Sequence, residues 1–257
     1  MTVPTVLMHR SPELLAQAVA ARLVTRFVDV QSTGRPASWV LTGGRIADTI
    51  HRAVAESPAR GALDWGRVEL WWGDERFVGR DSDERNEKQA RGTLLDRLPL
   101  NPEHIHPMPS SDETPDIEEA AERYAATLAS RALPEDHGGI PTFDVLMLGV
   151  GPDGHVASLF PEQPALYEER PVVAVRHAPK PPPNRLTMTM PTLSRAREVW
   201  FVVSGADKAR AVHLALGGAG LVQVPAAGPA GLHQTLWFLD RDAASQLPPG
   251  LTRPASP

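Results

Sequence analysis

The sequence predicts an α/β fold of three layers, a mostly parallel open sheet with helices on both faces. Three observations predict it. Short apolar runs rich in Val, Ile, Leu and Trp alternate with amphipathic stretches, the pattern of repeated βαβ units. Phe143–Leu148 is apolar almost throughout, as a strand covered on both faces of a parallel sheet must be. The 257 residues can bury about 70–75 % of the unfolded surface, so neither a disulfide nor a metal staple is needed.

Val3–Met8 reads as the first strand. Ser11 then supplies an N-cap and Pro12 an N1 residue that has no N–H to lose, opening a helix to about Val30. Trp39–Leu41 is the next strand; Thr42-Gly43-Gly44 turns the chain into a helix over Ile46–Ala55. Val68–Trp72 is a third strand, followed by a loop holding Asp74-Glu75-Arg76 and a helix over Asn86–Arg97 that stops before Pro99. His104–His106 is a short extended piece, and Asp116–Ala132 a helix. After Phe143–Leu148 the turn Gly149–Gly154 leads into a short helix from about His155. Pro164–Pro183 is irregular and proline-rich. Strands Leu186–Met190 and Val199–Val203, a helix over Ala206–Leu216, a small-residue loop over Gly217–Gly231, a strand Leu236–Leu239 and a helical turn complete the order. The strands keep their spacing past the proline-rich segment, so residues 1–257 are expected to form one domain, with 248–257 a frayed tail.

Composition excludes several classes. With no cysteine there is no zinc–thiolate site, iron–sulfur cluster or cysteine nucleophile. The net charge is −5 and no stretch gathers the basic residues into a stripe, so no nucleic-acid partner is expected. No apolar run approaches the roughly 20 residues of a membrane span, and Met1–Met8 carries no basic residue of a leader, so no membrane partner is expected and the expected setting is cytoplasmic. Lysine occurs only at positions 88, 180 and 208; every other basic side chain is arginine.

Ligands of an open α/β sheet bind where strand ends lead into loops, and three such loops carry unusual chemistry. Leu41-Thr42-Gly43-Gly44-Arg45 turns tightly into a helix whose free N–H groups suit an anion, most naturally phosphate; an ordinary βα turn is the plain alternative. Gly73-Asp74-Glu75-Arg76-Phe77 places three consecutive charges at the end of a buried strand, costly unless partnered or solvated. Gly149-Val150-Gly151-Pro152-Asp153-Gly154-His155 matches G-x-G-x-x-G formally. Its late position in the chain, and Pro152 where an N–H would be needed, count against a dinucleotide. What remains is His155 at a helix start, kept neutral by the dipole and suited to general-base work, with Asp153 to orient it. His104-x-His106 lacks a third metal ligand, and Ser158 lies in no G-x-S-x-G elbow. Lys180-Pro181-Pro182-Pro183 is a stiff run that ends beside Asn184-Arg185.

Taken together, Leu41–Gly44, Asp74–Val78 (DERFV), Gly149–Pro161 (GVGPDGHVASLFP), Asn184–Thr192 (NRLTMTMPT) and Val203–Lys208 (VSGADK) resemble, in order and over residues 5–245, the phosphogluconolactonases. The resemblance implies a modified Rossmann-like fold and hydrolysis of 6-phospho-D-glucono-1,5-lactone without a cofactor or metal. It implies a small sugar-phosphate lactone as the partner, and the chain is expected to be a monomer. His155, Asp153, Asp74 and Arg76 are the expected catalytic group, with Asp74 pairing the Arg76 fork. Gly43, Gly44 and Arg45 are the expected phosphate binders, together with Arg185 and Lys208, which the family places in this role. The chain departs from the family at Arg45-Ile46-Ala47, where hydroxyl residues usually follow the glycines, and at Glu87, where a tyrosine is usual. The related glucosamine-phosphate deaminases continue their Asp-Gly-His turn with Ala-Phe-Asn-Glu-Pro; here the residues are Ala157-Ser158-Leu159-Phe160-Pro161, without that glutamate. A sugar-phosphate isomerase or deaminase, a nicotinamide oxidoreductase and a non-catalytic sugar-phosphate-binding protein are the competing readings.

Overall fold

In the computed structural model, which describes residues 2–248 and 250–254, the chain begins with β1 (Thr5–His9) and α1 (Pro12–Ser32). The predicted cap of α1 is made: Ser11 is extended and its hydroxyl accepts from the Leu14 N–H. There follow β2 (Ala37–Leu41), α2 (Arg45–Ala55), β3 (Val68–Trp72), β4 (Asp74–Arg76), α3 (Asn86–Thr93), β5 (Ile105–His106), α4 (Ile117–Arg131) and β6 (Phe143–Leu148). The second half holds β7 (Val172–Val175), β8 (Arg185–Met188), α5 (Met190–Leu193), β9 (Ala196–Val203), α6 (Ala209–Leu216), β10 (Gln234–Asp240) and β11 (Thr252–Pro254).

Eight strands form one sheet in the order β11-β1-β10-β9-β6-β2-β3-β5, every neighbouring pair parallel. The chain winds one way through β2, β3 and β5, then reverses through β6, β9 and β10. Right-handed crossovers therefore put α1, α2 and α3 on one face and α4 and α6 on the other. In agreement, α1 packs on α2 and α2 on α3, while α4 packs on β7 and β8. The reversal falls between neighbours β2 and β6, whose connections leave toward opposite faces. A crevice opens at such a switch point, at the C-terminal ends of the strands.

Burial explains the pattern of residues. All six residues of β6 are buried, and the one charged member, Asp144, accepts from the Ser38 N–H (3.0 Å) and pairs with Arg35 (3.1 Å), which offsets the cost of its charge. Trp71 stacks on His106 at 4.0 Å and meets Phe143 edge-on. His106 is tied to Glu69, and His104 Nδ1 lies 2.8 Å from the Gly66 carbonyl, so both histidines are structural.

The structure corrects several expectations. Asp74–Arg76 is no loop: it pairs antiparallel with β8, and β8 with β7, in a second, three-stranded sheet. Strand β7 lies inside the segment expected to be irregular, because its four residues are free of proline and only the flanks carry it. No helix starts at His155, since Gly154 (φ +86°) and Ala157 (φ +50°) break helical backbone geometry. The helix expected to reach Arg97 ends at Thr93, with a separate 3₁₀ turn at Leu95–Arg97. In the expected frayed tail, Thr252–Pro254 instead pairs with β1; Pro249 and 255–257 lie outside the described residues.

Candidate active site

Three loops at the C-terminal edge of the large sheet, after β2, β6 and β9, converge with β4, β8, the start of α3 and the β7–β8 loop on one cleft. Thr42, Gly43, Gly44, Asp74, Arg76, Asn86, Gly149–Pro152, His155, Ala157, Lys180, Arg185 and Lys208 line it. The loop after β2 enters α2 through Gly44, whose φ of +106° suits glycine and leaves the helix without a side-chain cap. The first N–H groups of α2 are thus available to an anion. Arg45 stands at N1, but its side chain is exposed and lines an adjoining hollow beside Lys208 rather than the cleft.

His155 is held by a closed loop. The Gly151 N–H donates to the His155 carbonyl and the Gly154 N–H to the Gly151 carbonyl, both at 2.9 Å. His155 Nδ1 lies 2.5 Å from Asp153 Oδ1, and the ring packs on Phe160 at 4.6 Å. A Cβ on Gly151 would overlap both His155 Nδ1 and Asp153 Oδ1, so this pairing requires glycine there. Burial opposes the charge on Asp153, but the His155 hydrogen bond and the charges of His155 and Lys180 outweigh it, holding the carboxyl well below the usual range. An ionised Asp153 accepts only, so it fixes the proton on Nδ1 and leaves Nε2 as the basic nitrogen. With no helix starting at His155, the dipole expected to keep the ring neutral is not there, while the orienting contact expected from Asp153 is made.

Two arginines differ from expectation. Asp74 does not pair the Arg76 fork: its Oδ2 accepts from the Ser158 hydroxyl at 2.7 Å, and no ion pair joins Asp74 to Arg76 among the described residues. Arg76 Nη1 donates instead to the Glu84 carbonyl (3.2 Å) and to Asn86 Oδ1. Buried Arg185 donates through Nε to the Pro182 carbonyl and through Nη2 to those of Lys180 and Pro181, each at 3.1 Å, with its guanidinium 5.6 Å from the centre of Phe160. Arg185 therefore clamps the proline run as well as facing the cleft. The clamped loop delivers Lys180, whose ammonium lies 3.3 Å from Asp153 Oδ1. Lys208 is positioned through the loop after β9, where Asp240 accepts from the Ser204 hydroxyl (2.6 Å) and the Gly205 N–H.

Sequence reasoning thus named seven residues that line the cleft, an eighth, Asp153, that reaches it through His155, and one, Arg45, whose side chain does not. It missed Lys180 and Asn86 as site residues. The rarity of lysine was the available signal for Lys180: two of the three lysines line the cleft. Glu75, also missed, is buried behind the site and accepts from the N–H groups of Arg76, Asn86 and Glu87 at 2.8–2.9 Å. Burial pushes Glu75 up to about 7, against the pull of Arg85 and those three donors. Among the described residues no three His, Asp or Glu side chains are grouped to hold a metal ion.

The chain is similar over nearly its whole length to several known proteins. The profile of the family described as glucosamine-6-phosphate isomerases/6-phosphogluconolactonase matches residues 10–237. A 6-phosphogluconolactonase of Streptomyces coelicolor is 54 % identical over 256 residues, 98 % of each chain. One from Mycobacterium tuberculosis is 46 % identical over 239 residues, 92 % of this chain and 95 % of that protein. The solved structure of 6-phosphogluconolactonase from Trypanosoma brucei superposes with a TM-score of 0.81 at 29 % identity, covering 95 % of this chain and 99 % of that one.

Proposed function

The chain belongs to the glucosamine-6-phosphate isomerase and 6-phosphogluconolactonase family, and on that premise we propose how its cleft opens a phosphorylated lactone. The reaction is the hydrolysis of 6-phospho-D-glucono-1,5-lactone to 6-phosphogluconate. The observation that carries the reading is the Asp153–His155 pair facing Arg76, Arg185, Lys208 and the open end of α2 across one cleft.

The substrate phosphate, close to −2, is held by the main-chain N–H groups of Gly43, Gly44 and Arg45 with Arg185 and Lys208. Nε2 of His155 takes a proton from water as its oxygen bonds to C1, and the carbonyl electron pair moves onto oxygen. Arg76 stabilises that oxyanion in a site partly shielded from water. Collapse breaks the bond from C1 to the ring oxygen, which leaves with the proton from the imidazolium. Asp74, fixed by Ser158, orients the substrate hydroxyls. The proposal takes the chain as a single-domain monomer acting in the cytoplasm, in the oxidative pentose phosphate pathway, with no cofactor and no nucleic-acid or membrane partner. No helix among the described residues is long and apolar enough to cross a membrane.

Comparing kcat/KM for the 6-phosphorylated lactone with that for unphosphorylated glucono-1,5-lactone tests the reading. Two or more charge-assisted hydrogen bonds, each about 1.5–3 kcal/mol, predict a preference of at least about 10²-fold for the phosphorylated substrate. Equal values would remove the phosphate pocket from the account.

A further inference from the structure

Gly43 looks like an anion-loop glycine, yet its surroundings give it a different reason to lack a side chain. Its φ is not among the positive ones, so the backbone alone does not demand glycine. The three nearest heavy atoms to a Cβ built on it all belong to the side-chain amide of Asn86, and the nearest, Oδ1, would overlap it. Asn86 is buried at the start of α3, and its amide makes two further contacts: Nδ2 donates to the Asp74 carbonyl at 2.9 Å, and Oδ1 accepts from Arg76 Nη1. Its backbone is pinned by Glu75, which binds the N–H groups on both sides of the β4-to-α3 connection.

We infer that Asn86 is a positioning residue for the reaction, setting the Arg76 guanidinium against the glycine loop, and that Gly43 is glycine to admit it. The amide touches three parts of the cleft at once: the loop proposed to hold phosphate, the strand carrying Asp74, and Arg76. It thereby fixes the distance between the phosphate end and the oxyanion end of the substrate site. The inference rests on the reading of Arg76 as the group that stabilises the oxyanion.

Two cycles test it. In the first, Asn86→Ala is expected to lower kcat by about 10–100-fold with KM changed less than about threefold, because a misplaced guanidinium loses the transition state before it loses the substrate. In an Arg76→Ala background the same substitution should cost less than about threefold. Full additivity of the two would overturn the positioning role, since a merely structural loss would add to any catalytic one. In the second cycle, Gly43→Ala should lower the Tm by several degrees in the native chain, yet hardly at all when Asn86 is already alanine. An equal loss in both backgrounds would overturn the steric claim. The second cycle is read by melting alone, so it separates failure of this contact from failure of the Arg76 assignment. If Arg76→Ala keeps wild-type kinetics, that assignment falls, and with it the positioning role.

Discussion

His155→Ala is expected to lower kcat by about 10²–10⁴-fold with a small change in KM, the usual contribution of a positioned general base. The geometry behind the figure is specific. Asp153 occupies Nδ1 at 2.5 Å, Phe160 supports the ring face at 4.6 Å, and Gly151 leaves room for the pair. None of these contacts involves the substrate directly, so removing the imidazole should leave binding largely intact. The spontaneous opening of the lactone must be subtracted, since a slow variant approaches that background. Steady-state kinetics of a variant with an unchanged melting temperature check the claim. Retention of more than about a third of the wild-type kcat would remove His155 from the role of base, because no general-base contribution is that small.

Arg185→Ala is expected to raise KM by one to two orders of magnitude, through loss of a charge-assisted contact to phosphate worth about 1.5–3 kcal/mol. The structure adds a second effect. Arg185 also holds the carbonyls of Lys180, Pro181 and Pro182, so its removal frees the loop that brings Lys180 to Asp153. A fall in kcat should therefore accompany the rise in KM. Lys208→Met supplies the contrast: Lys208 contacts Asp207 and holds no catalytic loop, so its loss should raise KM and leave kcat within about threefold. An Arg185→Ala enzyme with unchanged KM would contradict the phosphate assignment. One with raised KM and unchanged kcat would contradict the clamp.

The large sheet was legible because its signals are local. Ser11-Pro12 marks the start of α1, and the apolar run Phe143–Leu148 marks the central strand. The second sheet was not, because β4 and β7 are three and four residues long and each pairs with β8 alone, which lies more than about 100 residues after β4. No periodicity can develop in so short a run. The helix expected at His155 failed for a different reason: Asp-Gly-His reads equally as a helix start or a tight turn, and the left-handed Ala157 that decides it is invisible in composition. In the site, glycines and motif charges announced themselves through local oddity. Lys180 and Asn86 did not, since each is delivered by side-chain contacts to loop backbone, from Arg185 for one and buried Glu75 for the other, that no motif announces. Asp74 and Arg76 were correctly placed in the cleft but wrongly paired, because Ser158, remote in sequence, takes the carboxylate.

Turnover of 6-phospho-D-glucono-1,5-lactone by the purified chain, followed at mildly acidic pH beside a protein-free blank and the His155→Ala variant, decides whether this cleft is a lactone hydrolase built on His155. The account predicts saturable hydrolysis by the native chain with kcat on the order of 1–10³ s⁻¹, no requirement for added metal or nucleotide, and a variant close to the blank. Consumption of the lactone by the folded native chain at the blank rate, or equal turnover by the variant, would contradict it.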